Sequence, residues 1–134
     1  MKNYYYVVLL SALFVLAGCQ ESLEEKCARE CKAYTQKNCP AQLDDKCIVD
    51  SLIFESNSHT LHYYYTLTGI ADSVGLLNPE EVKTALLDQL SNTTSMKAYK
   101  DAGYSFAYTY YSQKRPELVL FDVKLSKKDY GSKK

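Results

Sequence analysis

Cysteine is the most reactive residue type in this sequence, and five cysteines stand at positions 19, 27, 31, 39 and 47. The last four follow the spacing C-x3-C-x7-C-x7-C, which lacks the paired C-x2-C of structural zinc sites. It also lacks the C-x-x-C of dithiol redox catalysts. In an exported chain, Cys27, Cys31, Cys39 and Cys47 therefore predict disulfide bonds, with a zinc site and a redox centre as weaker alternatives.

Histidine is the next candidate for chemistry, and the chain has two, His59 and His62. Side chains alternate between the faces of an extended chain, so residues three apart point to opposite sides. That separation suits neither a shared metal ion nor a base paired with a nucleophile. The sequence contains no G-x-S-x-G, P-loop or H-E-x-x-H motif. We therefore expect no metal, no cofactor and no catalytic residue.

The N-terminus has the organisation of an export signal. Lys2 supplies the positive charge, and an apolar run from Tyr4 to Ala17 follows it. The run is 14 residues long, whereas a transmembrane helix needs ~20 apolar residues. Residues 1–18 are predicted to be a signal peptide that is removed.

Leu16-Ala17-Gly18-Cys19 resembles the lipobox of bacterial lipoproteins. The resemblance implies cleavage before Cys19 and acylation of Cys19 with palmitate or similar chains, which anchor the mature protein to a membrane. An ordinary secretory signal with an unmodified cysteine is the alternative.

The residues after Cys19 bear on the membrane to which the protein is sorted. Gln20 in place of Asp favours the outer membrane, by resemblance to proteobacterial sorting. Glu21, Glu24 and Glu25 resemble the surface-export signal of Bacteroidota lipoproteins, but an acidic first helical turn has the same pattern. We expect a cell-envelope protein, facing either the periplasm or the cell surface.

Two disulfide bonds are expected once Cys19 is acylated. Cys27 and Cys31 lie one helical turn apart on the same face and would bridge each other poorly. A chain that turns back after Asn38 meets the nearer positions first, which favours Cys31 with Cys39 and Cys27 with Cys47. The opposite pairing stays open, because loop entropy stabilises either one by roughly 2.5 to 3.5 kcal/mol per bridge.

Size and charge indicate one domain without affinity for nucleic acid. The 116 residues from Cys19 to Lys134 are close to the commonest domain length. Without Lys2, 15 basic residues oppose 16 acidic ones, so no large basic field exists. Basic residues collect at the C-terminal end: Lys124, Lys127, Lys128, Lys133 and Lys134. We interpret 127–134 as a basic tail, either solvated or attracted to anionic lipid or an acidic partner.

Three segments have helical periodicity. Residues 21–37 form an amphipathic pattern that ends at Asn38-Cys39-Pro40, and 40–46 forms a connector. Asn78-Pro79-Glu80-Glu81 supplies a cap and a first turn for a second helix. Residues 95–102 suggest a short third helix, capped by Ser95 and closed by Gly103, with Met96 and Tyr99 facing inward.

Four segments are rich in β-formers, and in the last three of them successive side chains alternate between two faces. They are 47–54, 60–68, 104–111 and 117–125. A turn connects the first segment to the second, and another turn connects the third to the fourth. The order predicts an α+β fold in which an N-terminal helix precedes a β-hairpin, a helix and a second β-hairpin, forming an antiparallel sheet packed on helices. We divide the mature chain into an acidic segment at 19–26, a single domain at 27–126 and the basic tail.

Tyrosine is the residue type best suited to making contacts here. The second strand is predicted to place His62 and Tyr64 on its wetter face, where Tyr111 of a later strand would join them. Tyrosines combine a rigid apolar ring with a polar tip, as protein-binding surfaces require. His62, Tyr64 and Tyr111 are thus a candidate contact patch for a protein or glycan, although Tyr is also an ordinary strand residue.

The run from His62 to Leu67, the run from Tyr99 to Phe106 and the closing hairpin resemble a group of small exported proteins, many of them Bacteroidota lipoproteins. The similarity covers roughly residues 46–126. It implies a ββαββ core, and brings no activity, cofactor or catalytic residue.

An anchor joined to a domain without evident reactive groups suggests a non-enzymatic envelope lipoprotein. Its partner would be another envelope or surface protein, or a larger assembly. The alternative is an immunity or inhibitor lipoprotein directed against a toxin or lytic enzyme. A hydrolase would require a cleft that collects several carboxylates.

Overall fold

The computed structural model describes residues 20–131. The predicted signal peptide and Cys19 lie outside this range, and so do Lys133 and Lys134 of the predicted basic tail. Within the described range, no helix is long and apolar enough to cross a bilayer.

The described residues form an α+β fold, as predicted. In chain order the elements are α1 (Leu23–Asn38), β1 (Ala41–Gln42), β2 (Cys47–Glu55), β3 (Thr60–Leu67), α2 (Pro79–Asn92), α3 (Lys97–Asp101), β4 (Ser105–Ser112), β5 (Val119–Leu125) and α4 (Lys127–Tyr130). Short 3-10 turns occupy Gly69–Ala71 and Thr94–Met96.

The five strands make one sheet in the order β1-β2-β3-β4-β5. The pairs β2–β3 and β4–β5 are the two predicted antiparallel hairpins. They join through a parallel pairing of β3 with β4, in which Leu61 lies opposite Phe106. Adjacent parallel strands need a long crossover, and α2 lies within that connection. We predicted an antiparallel sheet from the sequence. The β3–β4 pair is parallel and is the one exception among the four strand pairs described.

Local sequence explains where α1 begins and ends. The Ser22 hydroxyl accepts a hydrogen bond from the Glu25 backbone N–H at 3.1 Å. The negative charges of Glu24 and Glu25 interact favourably with the positive, N-terminal end of the helix dipole. The last helical residue is Asn38. The next residue, Cys39, has an extended backbone and precedes Pro40. A proline disfavours helical backbone in the residue before it.

The second and third helices follow the predicted signals with one difference. Asn78 Oδ1 accepts hydrogen bonds from the Glu80 and Glu81 backbone N–H groups, and Pro79 takes the first helical position. Ser95 was expected to cap α3, but it lies inside the 3-10 turn that precedes α3 and makes no capping bond. Gly103, at φ +80°, follows α3 in a conformation that costs glycine little.

The hydrophobic core lies between the inner sheet face and the helices. The sheet contributes Leu52, Leu61, Phe106, Tyr108 and Leu125, all buried. The helices contribute Cys27, Cys31, Leu86, Leu90, Tyr99 and Tyr130, also buried. The predicted inward side of β3 is confirmed, because Leu61 and Leu67 are 1% and 5% exposed. Each of the four described helices therefore covers the same face.

The folded region continues beyond the boundary predicted at residue 126. Lys127–Tyr130 forms α4, which begins with reciprocal hydrogen bonds between Ser126 and Asp129. Tyr130 is buried, and its hydroxyl donates to the Tyr104 carbonyl at 2.6 Å. At least through Tyr130, the predicted basic tail is part of the domain.

The predicted disulfide bonds are absent, since Cys27, Cys31, Cys39 and Cys47 are all free thiols in the structure. For the pairing of Cys27 with Cys47, the reason lies in the direction of β2. Thr35 of α1 contacts Leu52, and Glu24 at the start of α1 contacts His59 beyond the end of β2. The strand therefore runs antiparallel to the helix, so Cys47 lies near the C-terminal end of α1, far from Cys27.

Candidate functional site

The outer face of the sheet collects the residues of the predicted contact patch. Side chains alternate along β3, so His62 and Tyr64 point away from the face that carries Leu61. In the parallel register, Tyr64 lies beside Thr109 and Thr66 lies beside Tyr111. All four described helices lie on the inner face, so none of the helices that the structure describes covers the outer face.

The three aromatic rings of this patch form a continuous stack, which we call the aromatic patch. The rings of His62 and Tyr64 are stacked with centroids 4.1 Å apart. The rings of Tyr64 and Tyr111 lie nearly parallel at 6.4 Å. The structure therefore brings together all three predicted residues, across two strands that are separated by more than 35 residues of chain.

Hydrogen bonds fix the orientation of the His62 ring at one end of the stack. Its Nε2 lies 2.7 Å from the Thr109 hydroxyl. Its Nδ1 lies 3.3 Å from a Glu55 carboxylate oxygen and 3.1 Å from the Tyr64 hydroxyl. Only 17% of the His62 side chain is exposed. A ring held at both nitrogens is ordered before any partner arrives.

Glu55 and Thr109 belong to the site but were not singled out from the sequence. Glu55 is the last residue of β2, and Thr109 lies in the middle of β4. Their proximity to His62 depends on the register of β2 and β4 against β3. Alternation along the strand predicted at 104–111 assigns Thr109 to the outer face, whereas Glu55 lies just beyond the strand predicted at 47–54.

Thr109, His62 and Glu55 have the connectivity of a nucleophile, a base and an orienting carboxylate. Such a group also needs N–H donors directed at the oxyanion that forms during acyl transfer. Thr109 lies in β4 between β3 and β5, where backbone N–H groups are engaged in strand pairing. We interpret the hydrogen bonds as a support for the aromatic rings and assign no catalytic role.

The surroundings of the patch are apolar on one side and acidic on the other. Ile53, the neighbour of His62 on β2, is 49% exposed. Burial, followed by the nearby Glu55 carboxylate, raises the pKa of Tyr64, so this hydroxyl stays neutral. Asp50 accepts a hydrogen bond from the Thr66 hydroxyl at 2.6 Å on the same face.

His59 lies apart from this site, on the other side of the sheet from His62. Its Nε2 is 2.7 Å from a Glu24 carboxylate oxygen of α1, on the opposite side of the sheet. Its ring stacks on Tyr104 at 5.0 Å. His59 has φ +48° in the turn between β2 and β3 and links that turn to the start of α1.

The fold and its open sheet face define a small α+β module with one aromatic surface, and comparison with known proteins assigns its family. Residues 22–121 match the family described as Domain of unknown function (DUF8479). The chain belongs to this family. A comparison with curated protein sequences found no match.

Three solved structures share the fold. A protein of Pseudomonas aeruginosa described as secreted is 13% identical to this chain and has a TM-score of 0.65. The match covers 83% of this chain and 99% of the Pseudomonas aeruginosa chain. A Vibrio vulnificus type 2 secretion system pilotin is 10% identical, with coverages of 81% and 91% and a TM-score of 0.63. A Vibrio cholerae type II secretion system pilotin is 12% identical, with coverages of 85% and 97% and a TM-score of 0.60. At these identities the likeness concerns the fold.

Proposed function

We propose that this protein is a lipid-anchored component of the cell envelope, without catalytic activity, that binds a protein partner through the aromatic patch. The observation that carries the proposal is the stack of His62, Tyr64 and Tyr111 on the open sheet face. Two of the proteins that share the fold are pilotins of secretion systems, which supports a role in envelope assembly.

The physical properties of the patch suit protein recognition. Aromatic rings offer large contact areas, and rings that are already fixed lose little conformational entropy on binding. Hydrogen bonds with Thr109 and Glu55 fix the position of the His62 ring. His62 in turn forms a hydrogen bond with the Tyr64 hydroxyl. The exposed Ile53 extends the apolar surface, while Glu55 and Asp50 offer acceptors to a partner with polar or basic side chains.

The anchoring half of the proposal rests on Leu16-Ala17-Gly18-Cys19. Two or three acyl chains on one N-terminal cysteine bind a membrane almost permanently, at ~0.8 kcal/mol per buried methylene. Intact mass of the membrane-extracted protein tests this point. An acylated fragment beginning at Cys19 is expected. Release of an unmodified chain by high salt would refute the anchor and leave the patch hypothesis standing.

Photo-crosslinking in living cells tests the patch. A photo-reactive residue at position 53 would lie beside His62, and the same residue at exposed position 84 on α2 would serve as the matched control. We expect one discrete protein adduct from position 53, and none from position 84. The double substitution Tyr64→Ser, Tyr111→Ser should abolish that adduct while leaving the circular dichroism spectrum unchanged. An adduct that survives both substitutions would exclude the patch as the contact surface.

A further inference from the structure

Three sulfur-containing residues line one small cavity beneath α1. The cavity has a volume of about 180 Å³ and is lined by Cys27 and Cys31 of α1 and by Met96 of the 3-10 turn before α3. The remaining walls are Glu30, Tyr34, Leu52, Leu61 and Tyr99. A water molecule needs only about 10–15 Å³ of such volume, so a bare metal ion would fit.

The two thiols are adjacent. Cys27 and Cys31 are separated by one helical turn, and the two residues are 0% and 2% exposed to solvent. Both side chains line the same cavity, which places two thiols of one helix face where they can bind one ion together.

One side of the cavity reaches solvent through polar groups. Glu30 has 44% of its side chain exposed, and its carboxylate accepts a hydrogen bond from the Tyr99 hydroxyl at 2.5 Å. Met96 is partly buried against the core. A cation would thus enter past a carboxylate and arrive among sulfur atoms.

The donor set selects the kind of ion. Among residues 20–131, no group of three or more His, Cys, Asp and Glu side chains could hold a metal, which disfavours the four-ligand sites of zinc. Two thiolates and a thioether are soft ligands, and Cu(I) accepts two or three of them. We propose that Cys27, Cys31 and Met96 form a binding site for one Cu(I) ion.

The binding step conserves charge and oxidation state. Two S–H bonds break and two Cu–S bonds form, so two protons leave for each Cu⁺ that enters, while Met96 donates a lone pair without losing a proton. The product carries one negative charge. Because two protons are displaced, the apparent affinity should rise about 100-fold per pH unit while both thiols are protonated.

Competition with a chromophoric Cu(I) chelator tests the site, using the full chain purified in detergent under reducing, anaerobic conditions. One equivalent of Cu(I) should transfer to the protein. The control Cys39→Ala, Cys47→Ala should retain it, and Cys27→Ala, Cys31→Ala should lose it. Met96→Leu preserves the apolar volume and should weaken binding by about tenfold or more, since even the loss of an outer-shell partner costs 10- to 100-fold.

A second measurement covers the case in which the double cysteine variant does not fold. The X-ray absorption spectrum of the copper-loaded wild-type protein should show a first shell of sulfur alone, and Met96→Leu should remove one of the sulfur ligands. A first shell of nitrogen or oxygen would overturn the proposal. It would also be overturned if the wild-type chain takes no Cu(I) from the chelator, or if only Cys39→Ala, Cys47→Ala loses the ion.

Discussion

The hydroxyl of Thr35 on α1 forms two hydrogen bonds with the backbone of Leu52 on β2. It donates to the Leu52 carbonyl and accepts from the Leu52 N–H, each at 2.9 Å. Beyond Val49, no strand of residues 20–131 pairs with β2 on this side, because β1 spans only two residues. One helix side chain thus satisfies edge groups that a neighbouring strand would otherwise pair.

Removing this hydroxyl should destabilise the domain. Thr35→Val keeps the shape of the side chain but leaves two partly buried backbone groups without a partner, and each such group costs about 1–3 kcal/mol. We expect the free energy of unfolding in urea to fall by about 2 kcal/mol. The matched control is Thr84→Val, where the lost bond is to the Glu80 carbonyl on an exposed helix face. It should change stability by no more than about 0.5 kcal/mol. Equal effects at both positions would contradict the role of Thr35.

The position of Tyr130 predicts that α4 is part of the cooperative fold. Tyr130→Phe keeps the edge contact with Phe106, at a centroid distance of 5.8 Å. It loses the hydroxyl, which donates to the Tyr104 carbonyl at 2.6 Å and lies 3.3 Å from the Lys100 carbonyl. It should cost about 1 kcal/mol. Tyr130→Ala also empties a buried site and should cost about 3–5 kcal/mol. Thermal unfolding of both variants and of the exposed control Lys128→Ala measures this. A stable Tyr130→Ala protein would place α4 outside the core.

Asp72 predicts a dependence of stability on acid. Hydrogen bonds from Ser112 and from the Lys114 backbone N–H, at 2.9 Å, lower the pKa of this carboxyl. A carboxyl with a lowered folded-state pKa stabilises the protein above its unfolded pKa of about 3.9, and the contribution disappears as the pH falls through the folded value. Asp72→Asn should therefore be less stable than wild type at pH 7 and equal to it below both pKa values.

Urea unfolding at a series of pH values gives this comparison. Ser112→Ala removes the largest cause of the Asp72 shift and should reduce the same acid dependence. A constant difference between wild type and Asp72→Asn at every pH would show that the carboxylate charge is not involved.

The inner-face tyrosines predict an alkaline limit to stability. Burial raises the pKa of Tyr63, Tyr65 and Tyr110, and raises the pKa of Tyr108 to about 12. Raised folded-state values stabilise the protein fully below the unfolded pKa of about 10, and this contribution is lost as the pH rises through the folded values. Tyrosinate absorbance should therefore show these four residues ionising late, together with unfolding. In denaturant, all tyrosines should titrate near 10. Ionisation of all of them near 10 in the folded protein would refute the burial.

Local sequence determined most of the secondary structure. Ser22 and Asn78 mark the helix starts because their side chains accept bonds from helical N–H groups, and these interactions span only two or three residues. Alternation in β3 assigned Leu61 to the core and Tyr64 to the outer face, because successive strand residues point to opposite sides. The α+β class and both hairpins follow from such short-range rules.

Only the tertiary structure decided which of these elements meet. The parallel pairing of β3 with β4 brings Thr109 to His62, and the antiparallel course of α1 and β2 separates Cys27 from Cys47. Tyr130 packs against Phe106 and donates a hydrogen bond to Tyr104, and both residues are distant from it in sequence. The lysines around Tyr130 therefore led to the wrong prediction that residues from 127 onward form a tail outside the domain. Such contacts depend on register and packing between remote segments, which no local pattern of residues encodes.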